Sequence, residues 1–571
     1  MSLFIIPSPQ AHQGVSPAFL MGKLSYYRTN HCKLGGFSVL FFSRQSCPLN
    51  IKVNIPTGHK VRVLHAVMER MDWSVFEACY SRYGRIGYPP RVLTELLVYG
   101  YMDNTYSSRM IETACRENII YMFLLDGHKA PDHNTIARFR SKHFARVGEQ
   151  ILCQMVNLLI EMGEISMAAV FIDGTKLEAN ANRYTFVWRK RVEKQKAALE
   201  EKMKKELPGL LDKLEVKFRM PDEVDVHHLK KLFSQLEEKK KQDGVEFVHG
   251  TGKRRSRLQR AYEQVEEWLK RMRGYQKDLK ICGERNSYSK TDHDATFMRM
   301  KEDHMRNGQL KPGYNINVAT ACEYIIGSYV SADRTDTKTL IPFVAKIRRN
   351  GWEFERVVVD AGYESEENYC YFEQPWIHSR LLVKPTNHEQ KKSRKYKADI
   401  SRRENMSYDA NLDAYTCANG KQLTVSGVRH TRSSSGFPIE TTVYTCAECK
   451  GCPLKDKCIK GKSKIPMDER SKNIYVSKRF QEQRAKMETQ VDTKMGKLLR
   501  VNRSIQAEGT FAMTKEDMKF RRLLLRGTAK VAAEWTLMSM AYNILKLFHK
   551  ARTGRLGTHI VVPGSFLESA S

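Results

Sequence analysis

The sequence predicts an α/β protein: a mixed-sheet core, a helical N-terminal domain, a charged helical insertion and a β-rich, cysteine-containing insertion. Three observations predict it. The apolar runs before Asp173 and Asp360 each end in an acid with glycine close behind, as buried strands with an acid at the tip do. Strand and helix patterns alternate around them, the mark of a layered α/β sheet. Two stretches, one rich in Lys and Glu and one basic with crowded cysteines, interrupt that alternation.

Residues 1–50 read as a poorly defined extension, mildly apolar and broken by Pro7 and Pro9, with Met21 as an alternative start. No basic segment precedes it as in a signal peptide. Residues 51–150 read as helical. Val61 to Met68 has helical spacing, and Pro89-Pro90 opens a helix through Leu93, Leu96 and Leu97. A third helix begins near Ser107, and Asp132 caps one that carries Ile136, Phe139 and Arg140. Short helices bearing Arg138 and Arg140 suit a groove-entering DNA-binding module. An ordinary helical packing domain fits the same pattern.

The core spans 165–385 and resumes over 475–550. Its strands are the run to Asp173, a hairpin of Tyr314–Ala319 with Tyr324–Val330, the run to Asp360, and Arg380–Lys384. Helices are predicted over Thr337–Arg349 and Glu364–Phe372. Residues 186–290 form a charged helical insertion, read as a helical hairpin with breaks at Pro208, Gly209 and Pro221. Residues 388–470 form the basic β-rich insertion. An amphipathic helix over Val531–Phe548 ends the core, and 551–571 is a tail.

A net charge of +32 with 41% hydrophobic and 10% aromatic residues points to a folded protein with a polyanionic partner, nucleic acid first. No apolar run approaches a membrane span, so no membrane partner is expected. Thirteen cysteines, an odd number, do not make a secreted disulfide framework. A reducing cytoplasm, in contact with the nucleoid, is the expected location.

Two strand-tip carboxylates side by side form an oxygen-rich site that suits Mg²⁺ or Mn²⁺. A third acid on a nearby helix would complete a two-metal site. Cys446, Cys449, Cys452 and Cys458 form a second constellation. Such spacing fits a structural Zn²⁺ site, an iron–sulfur cluster, or plain reduced thiols, with Cys417 as a substitute ligand.

Several ordered motifs resemble the IS1182-type insertion-sequence transposases. These are Phe171 to Asn182, Thr291 to Met298, Leu310 to Asn315, Asp360 to Tyr363 and Arg521 to Gly527. Upstream, Ser107 to Arg109, Ala114 to Asn118 and Pro131 to Arg140 resemble that family's helical domain. The likeness runs from about residue 50 to 550. It implies a DDE transposase with an RNase H-like core, acting on terminal inverted repeats and target DNA. The resemblance makes Asp173 and Asp360 the first two acids and Glu508 the third, with Mg²⁺ or Mn²⁺ as cofactor. Related transposases carry a tyrosine, arginine, glutamate, lysine signature around the third acid. Here Glu508 and Lys515 keep its spacing, while Val501 and Ser504 replace the first two and Arg503 lies one place away. Holding two element ends together implies a homodimer.

Glu508, Lys515 and Arg522 are seven residues apart, so on one helix they share a face. Lys515, Arg522, Arg503, Arg138 and Arg140 are the expected DNA-contacting cations. The alternative is a non-catalytic DNA-binding relative; decay would be expected to spoil an acid, and all three candidates are intact.

Overall fold

A computed structural model describes residues 23–34, 37–48, 54–80, 87–216, 218, 221–250, 252–300, 309–461 and 463–559. Lys23–Leu34 (β1) and Phe37–Pro48 (β2) pair antiparallel along their whole length. Part of the supposedly ill-defined extension is therefore a two-stranded ribbon. Its signal was present: aromatic and β-branched residues flank Gly35-Gly36, a two-residue hairpin sequence.

The N-terminal domain follows its predicted helices. Lys60–Glu69 (α1), Pro90–Met102 (α2), Ser108–Glu117 (α3), Ile119–Leu124 (α4), His133–Arg138 (α5) and Ala145–Glu161 (α6) pack around apolar faces. Pro90 sits in the first turn of α2, where a missing N–H costs nothing. Asp132 caps α5 by accepting the Asn134 amide at 2.8 Å.

The central sheet is built on Ala169–Glu178 (β3), which is almost wholly buried. On one side β3 pairs parallel with Arg356–Val359 (the strand here labelled β9), which pairs parallel with Arg380–Val383 (β10). On the other it pairs antiparallel with Leu310–Ala321 (β7), whose outer edge is shared by Tyr324–Ser331 (β8) and Thr296–Arg299 (β6). The order β10-β9-β3-β7-β6, with β8 also on β7, gives the mixed sheet expected.

Phe186–Trp188 (β4) and Ser287–Ser289 (β5) pair antiparallel at the root of the charged insertion. Between them stand three helices, not a hairpin: Arg189–Leu211 (α7), Val226–Gln242 (α8) and Arg257–Cys282 (α9). The middle helix starts at a capping box made by Asp225 and His228. Leu199, Leu207, Leu232, Leu236, Trp268 and Met272 give the three helices a core of their own.

The second insertion is a five-stranded antiparallel sheet. Its strands are Ser407–Asp409 (β11), Ala414–Thr416 (β12), Gln422–Arg432 (β13), Pro438–Thr445 (β14) and Asn473–Val476 (β15). β13 and β14 form a long hairpin whose tip meets the central domain: Lys338 donates to the Ser434 carbonyl at 2.8 Å, and Ser435 bonds Glu367.

The last helix, Thr528–Arg552, is longer than predicted and buried on nearly every side, not amphipathic. It packs on β8, α6, α2 and α1, so the N-terminal helices and the sheet share one hydrophobic cluster. Its polar residues serve that position. Asn543 both donates to and accepts from Ile325 of β8 at 2.8 Å, replacing a missing strand neighbour. Buried Glu534 accepts the amides of Leu524 and Leu525, fixing the segment that leads into the helix.

Candidate active site

Ile172 of β3 lies opposite Val359 of β9, and Val359 opposite Val383 of β10. The next residues are Asp173, Asp360 and Lys384. Parallel register therefore sets both acids side by side where β9 and β10 end, with a lysine beside the second; β3 itself continues along β7 to Glu178, so Asp173 lies within its strand and not at the tip that its sequence predicts. Asp173 is buried and accepts its neighbour's amide, Gly174 N–H, at 2.8 Å. Asp360 starts a short 3₁₀ turn by accepting the Gly362 amide at 2.9 Å.

Glu508 reaches the same place from a helical rod. Lys494–Arg503 is α-helical, Ser504–Glu508 is a π turn, and Met513–Asp517 is another. The first π turn packs against β3 and β7. Such turns insert an extra residue into the helical frame and recur at functional sites. Here the extra residue brings Arg503, five before Glu508, into contact with it: the guanidinium lies 2.8 Å from Glu508 and 3.5 Å from Asp173. Ser504 donates to the other Glu508 oxygen at 2.9 Å. An open cleft of about 280 Å³ beside Asp360 is lined by Lys384, Arg500, Arg503 and Ser504. The sequence pattern hid this arrangement because it assumed an uninterrupted α-helical frame.

A fourth carboxylate, Asp336, joins the three. A Cβ on Gly174 would lie 2.9 Å from Asp336 Oδ1, and one on Gly362 would lie 3.3 Å from its Oδ2. A side chain at Gly174 would crowd that carboxylate together with Tyr363 and Asn315, whereas one at Gly362 would meet Asp360 Oδ1 first, at 3.0 Å. Asn315 donates to Asp336 at 2.6 Å. Its spacing carries no signal in the sequence, since it follows β8 and not an acid-tipped run. Tyr363 stands among these groups, buried and donating to Asn317 at 2.5 Å. Burial, then the charges of Asp336, Asp173 and Asp360, raises its phenol far above the usual range, so it stays protonated.

The expected DNA-contacting cations separate. Arg138 is exposed on α5. Arg140 is only 5% exposed and donates to the Tyr106 carbonyl and the Ser108 hydroxyl, so it is an interior brace, not a DNA contact. Lys515, 7% exposed, donates to Thr175 Oγ1 at 2.7 Å. It is a buried neighbour of the acid site instead of a surface phosphate reader. Arg522 does not share a helix face with Glu508: the rod ends at Asp517, Lys519 takes a left-handed φ of 52°, and residue 522 bridges to Glu178 of β3. Its side chain remains half exposed there. Arg503 turns inward to the acids.

Asp292 and Asp294 order a loop. They accept the amides of Gly527 and Thr528 at 3.1 and 2.8 Å, holding the start of the last helix.

The cysteines gather as well. Cys417, from the turn after β12, joins Cys446, Cys449, Cys452 and Cys458 around one small cavity. Burial pushes the Cys446 thiol up to about 11. Among the described residues, the one trio with ligand atoms within 4.8 Å of each other is Glu112, Asp132 and His133. That trio caps α5 and pairs with Arg116, which accounts for it without an ion.

Residues 416–548 match the family described as a transposase DDE domain, and residues 49–142 match the transposase domain family DUF772. Together the two matches support an insertion-sequence transposase of the DDE type. No curated protein and no solved structure matches it. Within the transposase, Glu508 and the cysteine run lie inside the DDE match, whereas Asp173 and Asp360 lie outside both matched spans. Asp173 is linked to Glu508 through Arg503, and Asp360 lines the cleft that Arg503 also lines. A DDE domain implies dependence on a divalent metal, and a transposase has DNA as its partner. No described helix is long and apolar enough to cross a membrane.

Proposed function

We propose that the chain cuts DNA at the terminal inverted repeats of its element and joins the freed 3′ ends to target DNA, with Asp173, Asp360 and Glu508 as the metal-holding acids of an RNase H-like core. The observation that carries this is the guanidinium of Arg503 held between Asp173 and Glu508 beside the tip of β9. Acids that collect a cation in this way form a donor set of hard oxygens suited to Mg²⁺ or Mn²⁺. Bound metal supplies an activated attacking oxygen and charge stabilisation on the leaving oxygen. The chain's own residues position the rest. Asp336 and Tyr363 hold the two acid-bearing strands in register, and Lys384 and Arg500 line the cleft where a phosphodiester would lie. With metal bound, the acids would be neutralised by the ion and Arg503, which also lines the cleft, would be free to contact a phosphate. A homodimer holding both ends is the assembly this reaction needs.

The test is an end-cleavage and strand-transfer assay on DNA carrying the element's two ends. Products should appear with Mg²⁺ or Mn²⁺ and disappear with chelator. Binding without cleavage under every metal would leave the non-catalytic reading.

Binding itself should be steeply salt-dependent. Each phosphate contact adds a slope of roughly −0.9 in log affinity against log salt. Lys384→Ala and Arg500→Ala should each flatten that slope by about one contact and weaken all sequences equally. Arg140→Ala should leave the slope unchanged, because its side chain is interior. A filter-binding series across salt concentrations separates these outcomes; an unchanged slope in both cleft variants would remove the cleft from the DNA path.

A further inference from the structure

The β-rich insertion has a thin core. Its cluster comprises Met406, Tyr415, Leu423, Tyr444, Cys446, Cys449, Ile474 and Val476, and most of β13 is exposed. Sheets with so little buried surface need another source of stability, such as a metal. The five thiols surround a cavity of about 20 Å³ between the turn after β12 and the end of β14. That is room for one small occupant.

The charges around this cavity are the second observation. Lys455 and Lys472 line it. Lys455 is 6% exposed, and its ammonium bonds only to the Asp468 carbonyl at 2.8 Å. The Lys472 ammonium bonds to the carbonyls of Ser401 and Cys458 at 2.7 and 3.1 Å. Lys421 and Glu448 also line the cavity but pair with each other, so the buried Lys455 ammonium, with a carbonyl as its partner, calls for an anion nearby. The backbone amide of Lys472 also donates to Cys449 Sγ at 3.3 Å.

We propose that this cavity is a structural zinc site in which four of the five thiols bind one Zn²⁺, Cys417 among them. Cys417 packs against the insertion's core from a separate turn, so its participation ties β12–β13 to the 446–458 run. On binding, four thiols release four protons to solvent and leave a zinc–tetrathiolate with a net charge of −2. The ammoniums of Lys455 and Lys472 match that charge. With Zn–S bonds of about 2.3 Å, the sulfurs of the four ligands would stand roughly 3.8 Å from one another.

Elemental analysis of the full chain, purified without chelator or added metal, should find one zinc per chain and no iron. Titration with a mercurial reagent, followed with a zinc-sensitive dye, should release that zinc as about four thiols react. This wild-type measurement does not depend on any variant folding. Cys417→Ser and Cys449→Ser should lose the zinc, while Cys115→Ser, in the N-terminal domain, should keep it. A zinc-free chain whose melting temperature is unmoved by equimolar Zn²⁺ would overturn the site. Iron with visible absorbance would overturn it in favour of an iron–sulfur cluster. Full zinc in Cys417→Ser would remove Cys417 from the ligand set.

Discussion

Asp173→Asn should lower end cleavage by on the order of 10³-fold or more, as loss of a central charge in a preorganised site does. Asparagine keeps an oxygen to accept the Gly174 amide, so the strand should hold its shape. What it loses is the charge that faces Arg503. Asp360→Asn and Glu508→Gln should fall by similar factors, and a double variant should be little worse than either single one, because the acids act as a unit. Binding to element ends should persist in all of them, since the cleft lysine and arginines are untouched. Single-turnover cleavage alongside a gel-shift measurement checks both halves. Near-normal cleavage by Glu508→Gln would exclude it as the third acid and turn attention to Asp336.

The largest effect on stability is expected at Glu164 and Lys550. Both are about 1% exposed and lie 2.6 Å apart, tying the last helix to the segment entering β3. Glu164 also accepts from Tyr324 at 2.8 Å and from the Gly557 amide at 2.5 Å. Removing one partner strands a charge inside the protein, a cost of about 3–5 kcal/mol. Lys550→Met or Glu164→Leu should each show that loss in chemical unfolding followed by tryptophan fluorescence. The double replacement should recover much of it, because no charge remains buried. A neutral Lys550→Met would refute the pair's importance. The pH dependence follows from Glu164. Burial alone would raise its carboxyl, but the Lys550 ammonium, the Gly557 amide and the Tyr324 hydroxyl outweigh that and hold it below the usual range. The stabilisation is therefore complete above the unfolded carboxyl's ordinary value of about 4.5 and fades as pH falls through the lower folded value.

Much of this architecture was legible because apolar runs that end in an acid carry a strong local pattern. The runs before Asp173 and Asp360 announced their burial and their side-by-side placement, but not that β3 continues past Asp173 to Glu178 along β7. The charged insertion was visible by composition, but its third helix was not: Arg257–Cys282 is as polar outside as the others, and only packing of Trp268 and Met272 against Leu232 and Leu236 shows it. Arg140 and Lys515 misled because a cation looks alike in sequence whether it faces solvent or a carbonyl. Asp336 and Cys417 were hidden for a different reason. Each reaches its cluster across the fold, and no spacing along the chain encodes such an approach.

The last helix fills the space between the N-terminal helices and the sheet, and it follows all of them along the chain. A message cut short before codon 528 would yield a chain carrying Asp173, Asp360 and Glu508 but lacking the element that covers two apolar faces. Such a product would not persist as a stable DNA-binding fragment competing with its parent; it would be a substrate for proteases. For this element, C-terminal truncation should silence the gene without creating a dominant inhibitor.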